Sequence, residues 1–392
     1  MKKLSVLLLL VLFSCKSDKQ PEKENVLEAM FTIDCSKSLP LELRLSDLCE
    51  DVELVPLEAT DDFLVGEIEH LKYAYNHFFV LDDSKSLYVF DRNGRGRTIL
   101  NHKGQGPREY LDARSLDLTT DSLICLLTYP PKLMYYTLEG SFVRELPLGV
   151  QGFELSLLSD GQAAVYRDNV DCSAKSPSSL IEVVNLFHNV SKSYLPGYSC
   201  MPHRMLPSFQ QNRVFTETEN GETLFGDPLS NEIIGLDSTG VYVKYRLDFG
   251  SRNPDKYMSA RLSDPSSSVV DFVQKQFPVY GFNSCWENSH YMYVQYFDSG
   301  KLQSLLYDKK RNLSYKGGIL MDDLTGCNPR FLKATDEFLV AYWTAGDIIS
   351  LADYLQMTGK DKDINPQLAE MISIVEKTGN PVMGIYKFKR WC

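Results

Sequence analysis

The chain has 392 residues, and its 41 basic and 52 acidic side chains give a formal charge of −11. That balance excludes nucleic acid as a partner, since binding a polyphosphate needs a basic surface to displace its counterions. A hydrophobic share of 43%, with 20 Phe, 22 Tyr and 3 Trp, excludes a disordered chain and provides for a real core.

The N-terminus carries an address. Lys2 and Lys3 precede an apolar run, Leu4 to Phe13. That run is far short of the about twenty residues that span a bilayer as a helix, and it fits the core of a secretory signal. The following Leu12-Phe13-Ser14-Cys15 resembles a bacterial lipobox, which implies cleavage before Cys15 and lipidation of its thiol. Residues 1–14 are then the signal peptide. Residues 15–45, opening with the polar KSDKQPEKEN, read as a lipid-attached flexible tether. Residues 46–392 form the globular body. The lipid is the expected membrane contact, and the address is the cell envelope: an outer-membrane lipoprotein, periplasmic or surface-exposed.

Eight further cysteines are scattered along the chain with no zinc-type spacing. Cys125 and Cys285 lie in apolar runs and read as buried thiols, whereas Cys35 with Cys49, and Cys172 with Cys200, are candidate surface bridges in an exported chain.

The body repeats a β pattern. Ser86–Arg95 (SLYVFDRNGR) alternates and then reaches Asn93-Gly94, a hairpin signal. The shape returns at Lys132–Ser141, Asn231–Gly240, and in degraded form at Leu180–Val190, Gln303–Asn312 and Val382–Arg390. A second β run precedes each: His77–Asp82, Ser122–Tyr129, Gln162–Arg167, Thr223–Gly226, Tyr291–Phe297 and Glu337–Trp343. Repeats of about 40 to 50 residues with several strands each predict propeller blades. Six pairs predict an all-β, six-bladed β-propeller. Val52–Leu57 precedes the first blade and is positioned to close the ring beside Val382–Lys389. Helices are expected at Ser266–Gln276, Ile348–Thr358 and Asn365–Lys377, as small insertions at about 256–277 and 346–378. In the last, Leu368, Met371, Ile372 and Val375 form one apolar stripe that should pack on the propeller.

Several stretches together resemble the six-bladed β-propeller lipoproteins of Bacteroidetes, related in fold to NHL-repeat propellers. They are the lipobox, Val55-Pro56-Leu57 with Gly66-Glu67-Ile68, Phe79–Asp82, Val89-Phe90-Asp91 with Gly94, Gly104–Tyr110 and Asn380–Phe388. The resemblance implies the fold and export. It implies no activity, because one fold hosts many functions.

Lys103–Tyr110 (KGQGPREY) is the most distinctive stretch. Its glycines permit close approach and Pro107 fixes a turn. It should link the outer strand of blade one to the inner strand of blade two. Lys103, Gln105, Arg108, Glu109 and Tyr110 are the candidate ligand contacts, the basic pair suiting a carboxylate or sulfate. The alternative is a structural corner tied by Arg108 or Glu109. Asp82-Asp83 and Asp322-Asp323 are possible calcium ligands, with solvated turns as the competing reading, and no other cofactor is indicated. The chain has no H-E-x-x-H and no G-x-S-x-G. The expectation is a membrane-anchored binding module for a glycan, peptide or protein partner. The alternative is an exported polysaccharide lyase or glycosidase, which would need carboxylates or a His/Tyr/Arg set converging at the central channel.

Overall fold

The computed structural model describes residues 29–159, 161–167, 179–196, 214–254, 269–360 and 364–390. Cys15 and the signal peptide, Cys172 and Cys200, and the first residues of the expected 266–276 helix lie outside them.

Six four-stranded antiparallel blades surround a central axis, the first five built from inside outward in chain order. Blade one is Ile68–Ala74, His77–Asp82, Leu87–Asp91 and Gly96–Leu100; blade two is Asp112–Leu118, Ile124–Tyr129, Lys132–Tyr136 and Phe142–Pro147. Blade three is Glu154–Ser159, Gln162–Tyr166, Ser179–Asn185 and Val190–Pro196; blade four is Phe215–Glu217, Thr223–Gly226, Glu232–Asp237 and Gly240–Asp248. Blade five is Val279–Glu287, Tyr291–Asp298, Lys301–Asp308 and Leu313–Gly317. Blade six takes Arg330–Ala334, Phe338–Trp343 and Val382–Phe388, and its fourth strand, Cys49–Pro56, comes from the other end of the chain. The predicted six-bladed propeller is the fold.

The repeated motif has a local cause. Its strand is the third of each blade, and its polar residue caps the turn to the fourth. Asp91 Oδ1 accepts from the amides of Asn93 (2.8 Å) and Arg95 (3.1 Å). Asn185, Asp237 and Asp308 do the same for Phe187, Thr239 and Arg311. Such side chains mimic a backbone turn and tolerate its geometry. The second and third strands are the buried ones, with Phe78, Val80, Phe90, Leu126, Met134 and Tyr293 at or near zero exposure.

The ring closes where the sequence indicated. Cys49–Pro56 pairs antiparallel with Val382–Phe388, Val52 opposite Tyr386. Gly94 (φ +77°) lets the blade-one turn abut this strand: a Cβ there would lie 2.1 Å from the Pro56 carbonyl. Buried Asn380 clamps the seam. Its Oδ1 accepts from Val65 N (3.0 Å), and its Nδ2 donates to the carbonyls of Glu58 and Phe63 (both 2.8 Å).

Two expectations are corrected. The tether does not extend to residue 45. Phe31–Asp34 adds a fifth, parallel strand to blade four, and Leu39–Pro40 adds one to blade five. These pieces are two to four residues long, anchored by buried Ile33, Cys35 and Leu43, too short to show an alternation of their own. Nor do Cys35 and Cys49 form a bridge; both are buried free thiols, as are Cys125, Cys285 and Cys327. Burial pushes Cys35 and Cys49 up to about 12.

Besides the short helix Leu45–Leu48, the α-helices among the described residues are Val269–Gln276, Ala345–Met357 and Pro366–Thr378, the last capped by Asn365. Leu368, Met371 and Val375 are buried against blades five and six, and Ile372 is half-buried beside them. Among the described residues no helix is long and apolar enough to cross a membrane.

Candidate functional site

Antiparallel blades place two classes of connection on opposite faces. Turns from first to second and third to fourth strands share one face, called here the turn face. Turns from second to third strands and the links between blades share the other, the link face.

The Lys103–Tyr110 segment lies on the link face, joining blades one and two as expected. It is folded onto itself. Tyr110 N donates to His102 O (3.1 Å) and Gly104 N to Tyr110 O (2.9 Å). Glu109 turns back to accept from Gly106 N (2.6 Å), and a Cβ on Gly104 would lie 2.0 Å from that carboxylate. Arg108 lies over the Phe142 ring of blade two (4.9 Å). Tyr110 is fully buried and donates to the Lys85 carbonyl (3.1 Å), so the structure places it beyond a ligand's reach. Lys103 and Gln105 are exposed. Cation–π stacking by Arg108 ties neighbouring blades, where an ion pair was the structural alternative.

The two aspartate pairs hold loops. Asp82 accepts from Gly66 N (3.0 Å), Ser84 Oγ (2.6 Å) and Ser86 N (3.2 Å), and Asp83 from Glu67 N (3.0 Å). Asp322 takes Thr325, Leu324 and Tyr386, and Asp323 takes Ser46. Among the described residues no three His, Cys, Asp or Glu side chains group as a metal site.

The axis carries charge. Blades one and four face each other across the ring, and Lys72 Nζ reaches Glu217 Oε2 at 2.9 Å. Lys72 also pairs with Asp117 of blade two, and Lys333 of blade six lies 3.4 Å from Glu217. Asp117 Oδ2 accepts from Leu157 N of blade three (2.6 Å). Two lysines thus answer two carboxylates across the channel. Burial alone would raise the Glu217 carboxyl, but Lys72 and Lys333 outweigh it and hold it down at about 2. Burial opposes the charge on Lys72, and Asp117 and Glu217 carry it up to about 12. A second layer joins His70, Ser115 and Glu154: His70 Nε2 is 3.2 Å from Ser115 Oγ and 3.7 Å from Glu154. A glycosidase acid needs a carboxyl raised toward neutrality; Glu217 is moved the other way. The inner strands therefore cross-brace the ring.

Among the described residues, cavities open on the turn face. One of about 850 Å³ lies under blade six between Arg92 and His290, floored by Phe338, Ile385 and Phe388. Much of its charge is internally answered: Arg92 holds Glu53 through two bonds of 2.9 and 2.7 Å, and Lys387 pairs with Glu50 beside it. A cavity of about 70 Å³ sits beside Lys244, Glu287 and Lys309. There burial and then the charge of Lys244 lower the Lys309 ammonium, Glu287 opposing. A third, of about 300 Å³, lies between blades two and three and is lined by Asp121, Tyr135, Arg144, Ser159 and Phe187. None of these residues was selected from the sequence. The available signal was Phe187, an apolar residue at a turn tip where the other copies carry polar ones.

A family model described as "Domain of unknown function (DUF4934)" matches residues 30–387. No curated protein matches. Among solved structures, a Bacteroides fragilis protein named as exported is similar over 92% of this chain and 99% of its own, with 18% identity and a TM-score of 0.69. A Bacteroides caccae protein of unknown function aligns over 64% and 81%, at 11% identity and a TM-score of 0.36. The Cps50 (Swd1) β-propeller domain of Myceliophthora thermophila aligns over 73% and 96%, at 12% and 0.36. The first of these supports the fold, and the family match spans nearly the whole described body. The chain belongs to the DUF4934 family.

Proposed function

We propose that this chain is an exported lipoprotein, anchored in the cell envelope through Cys15, whose propeller is a non-catalytic binding module. The carrying observation is the axis. The channel where a propeller enzyme would gather its carboxylates is filled by mutually neutralised ion pairs, while the open cavities lie on the turn face. Export is supported by the signal-like N-terminus and by the fold shared with the exported Bacteroides fragilis protein. A glycan or a peptide fits cavities of this size, which fall within or near the ordinary range for ligand sites. A glycosidase acid at Glu217 is disfavoured because Lys72 and Lys333 hold that carboxyl down.

Thermal-shift measurements against glycans, peptides and divalent ions test binding. A ligand at a hundred times its Kd adds about 2.7 kcal/mol of stability. A hit without turnover of that ligand is the expected result, and turnover would overturn the non-catalytic reading. Metabolic labelling with palmitate tests the anchor: label that persists in Cys15→Ala removes it.

A further inference from the structure

The cleft between blades two and three is lined by one cation, Arg144. Its cation is unanswered. Among the described residues Arg144 pairs with no carboxylate; its guanidinium lies over the Tyr135 ring, 4.5 Å from the centroid. Stacking of this kind orients the planar group and leaves its N–H edge available for a bidentate acceptor. Burial pushes the Tyr135 phenol up, so the ring supporting the guanidinium stays neutral.

The opposite wall is an aromatic platform. Phe187 is 77% exposed, at the tip of the third-to-fourth turn of blade three. A phenyl ring held in water without covering other apolar surface is unfavourable, and nothing in the fold requires one there. The turn that carries the ring is nonetheless fixed. Leu186 N donates to Gly161 O (2.8 Å), Asn185 caps the Phe187 and His188 amides (3.0 Å each), and Asn189 Oδ1 accepts from Gly149 N (2.9 Å). Gly161 lies beneath the ring: a Cβ there would sit 2.4 Å from Phe187 Cε2. The glycine has no positive φ, so what its missing Cβ permits is the close approach of the ring edge to the backbone. Asp121 and Ser159 line the same cavity and offer acceptors and a hydroxyl.

We propose that this cleft binds a saccharide bearing a carboxylate. Its ring C–H face lies on Phe187, its carboxylate meets Arg144, and its hydroxyls meet Asp121 and Ser159. A neutral sugar would leave Arg144 without a partner, and a bare carboxylate would leave Phe187 uncovered. A volume of about 300 Å³ is at the small end for ligand sites and suits one sugar unit of a longer chain. This deepens the binding-module reading and rests on it.

The test is isothermal titration of the full chain in detergent. The titrants are glucuronate, galacturonate and an oligogalacturonate, with glucose, galactose and acetate as comparators. Binding of an acidic sugar, at least tenfold tighter than its neutral counterpart and than acetate, is expected. Arg144→Gln and Phe187→Ala each change an exposed residue and should fold normally. Each should weaken that binding about tenfold or more, as loss of a charge-assisted bond or a stacking face does. Gly161→Ala, which displaces the ring, should weaken it too. If an acidic sugar binds equally to wild type and variants, the binding reading stands and this site falls. If acidic sugars fail while a peptide or neutral glycan binds, the inference falls alone. If nothing in the wider panel binds, both fall.

Discussion

Asn380→Ala offers a sharp test of how the ring is held shut. The side chain has no exposure and makes three hydrogen bonds of 2.8 to 3.0 Å, all to the segment Glu58–Val65, more than 300 residues away in sequence. Each is worth about 1 kcal/mol net, and an orphaned buried partner costs about 1 to 3. Val65 is buried, whereas Glu58 is exposed and Phe63 half-buried, so water reaches part of what is left unpaired. The sum is about 3 kcal/mol. In a protein of this size each kcal/mol moves Tm by roughly 2 °C, giving a drop of about 6 °C by differential scanning fluorimetry or urea melts. Asn380→Asp keeps the acceptor for Val65 but turns a carboxylate toward two carbonyls, and should be no better than alanine. A Tm within about 1 °C of wild type for Asn380→Ala would refute the claim that this side chain seals the seam.

Two further outcomes follow from the same geometry. Deleting residues 1–54 removes most of the fourth strand of blade six and should abolish the cooperative melt; a melt at the wild-type temperature would sink the closure model. At the axis, the Glu217 carboxyl lies at about 2 in the folded chain against an ordinary 4.5. It therefore stabilises the fold above about pH 4.5, and that contribution is lost as pH falls toward 2. Glu217→Gln leaves Lys72 and Lys333 under-neutralised and should lose about 3 kcal/mol at neutral pH. Its Tm should then fall less steeply than that of wild type between pH 4.5 and 3, and parallel acid profiles would contradict the assignment.

The third strands were legible because their turns are written in local chemistry. A strand ending in Asp91, Asp237 or Asp308 and then a cap announces itself within ten residues. The inner strands were not legible. Lys72, Asp117, Glu217 and Lys333 interrupt the apolar alternation, and their reason for being there exists only once opposite blades meet. The helix of Pro366–Thr378 was visible as a stripe at helical spacing. The added strands at Phe31 and Leu39 were hidden, since a two-residue strand has no period. Distinctive composition has a local use here: the glycines of Gly104–Gly106 serve Glu109 within their own loop, while an ordinary-looking phenylalanine at position 187 tops the cleft that holds Arg144. Sequence singles out unusual residues; a site is made by which residues face one another.

The partner strands of blade six are far apart in the order of synthesis. Cys49–Pro56 is made before blades one to five are complete, and Val382–Phe388, which it must join, after them. No shortened chain can complete the ring, and five blades with an open edge are exposed to wrong pairing in the meantime. Non-local pairing of this kind makes folding slow. For the export proposed above, the delay has a use: the chain stays threadable until the closing strand has passed.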